Sequence, residues 1–314
     1  MAAQQGAIKY LTTDMGRDEL TKIVRWYIGK ERKEQPSVYS EFMKDVSTTE
    51  FYEEAMTIGG FGDAPLLDEG DYINLAKSPF GDIIRAQPET HQLGFVISED
   101  DKQFNRIGKV ETLSQKLSVA MRRTKERAAM LVLNDGFAGT NHRTTDNQPL
   151  FSTAHVLLNG DTVGNRPASD VDLTMASLEA AITNFMLQQD EDGTYMSVEP
   201  RYLVVHPSEY LNATRLLESK NYFTGGVPSA ADTGVPNVIS RMGLKVIASP
   251  YLTDPDAWFL LGDKNDSSLR MITNRKLRDW SFQDNWTRDF VYGMDERYVA
   301  YAADWHGTYG STGA

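Results

Sequence analysis

The stretch KVETLSQKLSVAMRRTKERAAMLVL, Lys109 to Leu133, decides how this chain is read. With Ile107 placed before it, Val110, Leu113, Leu117, Ala120, Met121, Ala128, Leu131 and Val132 recur at threes and fours, the period of one helix face. Run from Asp101 to Asn134, a helix of this pattern is a rod of roughly 50 Å. Few globular helices are that long. NDGFAGT ends it, with Gly136 expected to provide a left-handed cap. Arg122, Arg123, Lys125, Glu126 and Arg127 form a charged block within the rod. One reading is a solvated face or intersubunit salt bridges, with Glu99, Asp100 and Asp101 as acidic partners. The other is contact with a phosphate backbone, because the four cations cover more than one helix face.

Upstream of the rod, residues 1–60 are polar and helix-leaning. Leu20, Ile23, Val24 and Tyr27 share one face of a short helix with Asp18 as its cap, and SEFMKDVSTTEFYEEAMTIGG runs on to Gly59-Gly60. This reads as an arm that packs on something else. Between Glu69 and Ser98 two short strands flank Lys77, Ser78, Pro79, Phe80 and Gly81, whose chemistry is that of a turn, with Arg85 in the second strand. A two-stranded excursion is marginal by itself, so it must lie on another part of the molecule or on a neighbour.

Downstream, TTDNQPLFSTAH and VLLNGDTVGNRPASD are irregular. A helix follows from Asp172 to Gln188 with Leu173, Leu178, Ala181, Ile182 and Met186 buried. RYLVVHP is a buried strand, and SEYLNATRLLES is a helix with Ser208 as N-cap and Tyr210, Leu211 and Leu216 inside. GLKVIAS and AWFLLG close this unit near Gly262, which makes Ser169 to Gly262 a compact α/β domain. The loop from Asn221 to Ser240 is long and Gly-rich, a length usually kept for function or motion. SLRMITN and SFQDNWTRDFVYGMDERYVAYAADWHG give final strands. Phe290, Tyr292 and Met294, then Tyr298, Ala300 and Ala302, form a face that packs on the long helix.

The 314 residues are 40% hydrophobic, enough for a large core near the size at which cores divide, so two domains are expected. The net charge of -12 opposes specific DNA binding and attachment to anionic membrane. No cysteine is present, which excludes disulfides, thiolate metal sites and thiol nucleophiles. The N-terminal sequence lacks the basic and apolar regions of a secretory signal, and no apolar run reaches membrane-spanning length.

His91, His142, His155, His206 and His306 include no pair at helical zinc spacing. His155 or His206 with a distant Asp is the one available catalytic couple, against the plainer reading of a ring satisfied at a turn or strand end. There is no nucleophile elbow and no phosphate loop. GGFG at Gly59 and TGG at Thr224 read as hinges, and NGDTVGNRPASD departs from a calcium loop. Trp258, Trp280, Trp286 and Trp305 supply core or interface area. No catalytic, cofactor or metal residue is assigned.

The order of these elements resembles the major capsid protein of tailed bacteriophages, the Hong Kong 97-type α+β fold. PLFSTAHVLLNG, Pro149 to Gly160, and VYGMDERYVAYAADW are similar to the major head subunit of Mu-like prophages. The resemblance implies an N-terminal arm at 1–66, an extended two-stranded E-loop at 67–97 and a P-domain at 98–169 with its spine helix at 102–134. It places an α/β A-domain at 170–262 and a C-terminal return to the P-domain at 263–314. It further implies a non-enzymatic subunit that builds an icosahedral shell around double-stranded DNA, in the virion and first in the host cytoplasm. Its partners are then copies of itself in hexamers and pentamers, a separate scaffolding protein, a portal and a cement protein. Contact with packaged DNA is weak and non-specific, and no membrane is involved. Lys77, Phe80, Arg85, Arg122, Arg123, Lys125 and Arg127 are the expected intersubunit contacts. Lys77 sits where some relatives carry a crosslinking lysine, but no motif marks an Asn partner, so no crosslink is assigned. The chain lacks the charged helical leader that some relatives use as a fused scaffold, hence the separate scaffold. An α/β hydrolase using His155 or His206, or a tail or portal-associated protein, are the rival readings.

Overall fold

The computed structural model describes residues 17–34, 37–61, 64, 66, 72, 75, 80–104, 107–219, 221–222 and 235–314. Helix α1, Arg17–Glu34, buries Leu20, Ile23, Val24 and Tyr27 on one face as their spacing predicts, with Asp18 inside its first turn instead of capping it. From Ser37 to Ile58 no α-helix forms. A 3-10 turn, Tyr39–Glu41, leads to β1, Lys44–Ser47, and β2, Glu53–Ile58, followed by β3, Phe80–Ala86, and β4, Glu89–Ile97. The ribbon therefore pairs differently from the expected excursion within 67–97. β3 bonds antiparallel to β2, while β4 leaves to pair with a strand near the C-terminus.

A short helix, α2, Glu99–Gln103, precedes the long one, α3, Ile107–Asn134, whose 28 residues make a rod of about 42 Å. Its end also departs from expectation. The left-handed glycine is Gly139 at φ 59°, whereas Gly136 is needed for space, since a Cβ there would lie 2.7 Å from the Phe151 ring. A small hairpin of β5, His155–Val156, and β6, Thr162–Val163, leads to α4, Met175–Met186. Thr174 caps α4 in a reciprocal box with Ser177, and Phe185 joins the expected buried stripe while Met186 faces out.

β7, Tyr202–Val205, and α5, Tyr210–Glu218, follow. Ala213 and Leu217 form the inner side of α5, Tyr210 and Leu211 are exposed, and the Ser208 hydroxyl donates to the Pro255 carbonyl instead of capping the helix. β8, Asn221–Tyr222, pairs with β9, Val235–Pro236, across the base of the Gly-rich loop, most of which lies outside the described residues. β10, Lys245–Ala248, β11, Trp258–Leu261, β12, Leu269–Gln283, β13, Phe290–Ala302, and β14, Thr308–Ser311, complete the chain.

Two four-stranded sheets result, in orders β1-β12-β13-β4 and β10-β7-β11-β14. The C-terminal strand β14 thus closes the second sheet instead of returning to the first. Leu203, Val205, Trp258 and Leu260 face α4 and α5, while Val204, Phe259 and Leu261 face a core shared with Met130, Leu133, Met271 and Tyr298. Burial on both faces is why RYLVVHP and AWFLLG read as continuous apolar runs. The first half of α3 packs Val110, Leu117 and Met121 against α1 and against Phe290, Tyr292 and Met294 of β13. One helix therefore joins both sheets. Among the described residues no helix is long and apolar enough to cross a membrane.

Candidate functional site

Both faces of the ribbon carry apolar side chains. Alternation along β2 and β3 sets Ala55 and Ala86 against Ile272, Tyr301 and Ala303, which ties the ribbon's base to the first sheet. A hydroxyl bond between Thr57 and Thr145 adds a second anchor. The opposite face carries the cross-strand pairs Glu54–Arg85, Met56–Ile83 and Ile58–Phe80. Arg85 bonds Glu54 at 2.8 Å and lies over the Tyr52 ring. Beyond this ion pair the ladder is apolar and faces solvent, with Phe80 66% and Ile58 57% exposed. Leu66, Tyr72 and Leu75 in the connection are almost fully exposed. A contiguous apolar face of this kind on a monomer marks a contact surface. Lys77 lies outside the described residues.

A second surface lies where β4 forms the free edge of the first sheet. Leu93, Phe95, Leu113, Leu117, Val119 and Ala120 line a groove of about 680 Å³ between β4 and α3. Lys116 and Arg123 also line it, and no acidic side chain does among the described residues.

The charged block on α3 divides. Arg123 and Arg127 are exposed and Arg122 is half-buried. Lys125 points inward, bonds the Glu296 carboxylate at 2.5 Å and stands over the Tyr298 ring, its side chain only 13% exposed. Lys125 is therefore spent inside the subunit, which removes it from the expected surface contacts. Glu126 is buried too and accepts the backbone N–H groups of Val38 and Tyr39 at 2.6 and 3.2 Å. Burial pushes its carboxyl above the usual range against the pull of those two bonds. The phase of the helix carries the signal, since Lys125 lies one turn from both Met121 and Ala129, which are buried.

The histidines do hold carboxylates. His155 Nδ1 meets Asp146 Oδ2 at 2.6 Å, His306 Nδ1 meets Asp304 Oδ2 at 2.6 Å, and His142 Nδ1 lies 3.3 Å from Asp135. His155 is completely buried, its Nε2 faces Asn165 Oδ1 at 3.1 Å, and its ring is stacked on Trp305. A ring with both nitrogens committed and no route to solvent serves packing. His206 bonds Ser208 at a strand end. Glu191, Asp304 and His306 bring ligand atoms within 4.8 Å of one another. Both nitrogens of His306 are already bonded, to Asp304 and to the Gln189 carbonyl, and Glu191 accepts the Leu158 N–H. Of the tryptophans, Trp258 and Trp305 are core, and Trp286 stands in solvent.

The family described as Phage capsid protein matches residues 82–310, well over half of the chain. No curated protein matches it. Among solved structures, the capsid of cyanophage P-SCSP1u is similar at TM-score 0.55 and 10% identity, covering 88% of each chain. The capsid of a native GTA particle is similar at TM-score 0.53 and 12% identity, covering 87% of this chain and 89% of that one. A virus-like particle from Pyrococcus furiosus is similar at TM-score 0.51 and 9% identity, covering 92% and 98%. At such identities the likeness concerns the fold, which is the α+β Hong Kong 97-type.

Proposed function

We propose, on the premise that the chain belongs to the phage capsid protein family and is a viral capsid subunit, that its ribbon seats in the β4–α3 groove of a second copy. The observation that carries this is the apolar ladder Met56–Ile83 and Ile58–Phe80, which faces solvent on an element too small to hold itself. Charge agrees with it. Residues 61–75 hold Asp63, Asp68, Glu69 and Asp71 and no cation, and the groove offers Lys116 and Arg123. Repeated over many copies, contacts that are weak singly become strong together.

The full reading is the major head subunit of a tailed bacteriophage, in hexamers and pentamers of an icosahedral shell, resembling the head subunits of Mu-like prophages. In that reading residues 1–52 act as the N-terminal arm and 53–86 as the E-loop. α3 is the spine of the P-domain, and 170–262 together with β14 form the A-domain. Phe80, Arg85 and Arg122 contribute contact area between subunits. Arg127 remains for weak contact with packaged DNA, with the acidic whole keeping that contact loose. A separate scaffolding protein, a portal and a cement protein are the further partners.

The absence of cysteine makes a direct test simple. The Phe80→Cys, Leu93→Cys double variant, oxidised during assembly, is expected to give a ladder of disulfide-linked multimers on denaturing gels. Monomer alone from assembled material contradicts the proposed seat.

A further inference from the structure

The passage from β13 to β14, which carries the chain from the first sheet to the second, holds a stack of three buried rings. Trp305 stacks on His155 with centroids 4.7 Å apart and planes at 11°, and on His306 at 4.0 Å and 28°. Each imidazole turns both nitrogens to oxygen. For His155 the partners are Asp146 Oδ2 at 2.6 Å and Asn165 Oδ1 at 3.1 Å. For His306 they are Asp304 Oδ2 at 2.6 Å and the Gln189 carbonyl at 2.9 Å. The orientation of Asn165 is fixed, because the Ser152 N–H donates to its oxygen and its amide nitrogen donates to the Leu150 carbonyl. Carboxylates and carbonyls donate nothing, so the pattern around His306 is complete only when its ring carries two N–H groups. An imidazolium stacked on indole gains cation–π attraction as well.

The stack joins segments distant in sequence. Gln188, just past α4, accepts the Gly307 N–H on Oε1 and donates its Nε2 hydrogen to the Thr308 carbonyl. Glu191 accepts the Leu158 N–H, which brings in the β5–β6 hairpin. We infer that this stack is a proton-operated clamp on the β13–β14 passage, closed while His306 is protonated and slackened when it is neutral. Loss of the proton leaves either Asp304 or the Gln189 carbonyl facing a nitrogen lone pair in a dry site.

The groups that face His306 are Asp304, Glu191, the Gln189 carbonyl and the Trp305 ring, with Asp190 acting on Glu191 from behind. Burial opposes charge on His306, yet the bond and charge of Asp304, the Gln189 carbonyl and Glu191 outweigh it and hold the ring above its ordinary value of 6.5. A raised folded value means that the clamp is fully present below 6.5 and is lost as pH rises through the folded value.

Hydrogen exchange read by mass spectrometry on the full chain at pH 6 and pH 9, corrected for intrinsic chemical rates, tests it. Peptides covering 303–309 and 188–192 are expected to lose protection about tenfold for each pH unit between 6.5 and the folded value and to level off above it, while β7 and α4 hold theirs. Equal protection at both pH values overturns the clamp. In His306→Gln the same peptides are expected to exchange fast already at pH 6 and without a pH step, and persistence of the step overturns His306 as its source. Should that variant fail to fold, the ring nitrogen shifts of His306 in the unaltered chain decide. Two N–H groups are expected to persist through the ordinary midpoint of 6.5, and loss of one below it contradicts the inference.

Discussion

The ribbon β2–β3 and the sheet around β7 are both made of short strands, yet their burial is opposite. All four residues of β11 and of β14 are buried, whereas the outer face of the ribbon leaves Met56, Ile58, Phe80 and Ile83 in solvent. The sheet is covered on both faces within the subunit. The ribbon is anchored at Ala55 and Ala86 and through Thr57 to Thr145, and among the described residues its outer ladder of Met56, Ile58, Phe80 and Ile83 stays exposed. Apolar surface that does nothing for the monomer is surface for the assembly, and substitutions in the two regions must therefore separate folding from association.

The largest effect belongs to the sheet. Phe259→Ala removes a buried ring packed on Phe137 and Phe151 and is expected to cost about 3–5 kcal/mol in chemical denaturation of the unassembled chain. Next comes the helix that joins the sheets. Lys125→Met strands Glu296 beside Tyr298 and is expected to cost about 3 kcal/mol, with the Lys125→Met, Glu296→Leu double variant recovering most of it. A smaller effect is confined to acid. Burial opposes charge on Asp135, but N–H groups of Asn141, His142 and Thr140 hold its carboxyl below the usual range. Its contribution is thus present above the ordinary carboxylate value and lost as pH falls through the folded one. Melting curves of Asp135→Asn are expected to lie below the unaltered chain at pH 7 and to converge with it near pH 2. The smallest effect on folding belongs to the ribbon, where Ile83→Lys is expected to change monomer stability by no more than about 0.5 kcal/mol. A loss as large as that of Phe259→Ala would erase the distinction between the two regions.

Sequence made the covered parts easier to read than the exposed one. The period of α3, the stripes of α1 and α4, and the unbroken apolar runs of β7 and β11 are local signals, and each element lies where its pattern puts it. Residues 39–58 misled because the strand that makes β2 a strand is β3, more than twenty residues further on. Nothing in EEAMTI by itself specifies that partner. In α5 the large side chains Tyr210 and Leu211 suggested the inner face, and the small Ala213 took it with Leu217. The resemblance of element order reached the fold correctly, while the groove depends on β4 lying at a sheet edge, a property of pairing that no single segment carries. The carboxylates beside His155 and His306 were equally hidden, since irregular chain has no period from which to infer that Asp146 meets a ring nine positions away.

Negative-stain electron microscopy with light scattering on one preparation, run on the unaltered chain and on Ile83→Lys, is the most direct test of the ribbon as the assembly element. Closed shells or hexameric and pentameric clusters from the first, and a folded monomer from the second, are the expected pair. A clean monomer from the unaltered chain at physiological salt, even after co-expression with its neighbouring genes, or equal shells from both, would contradict it.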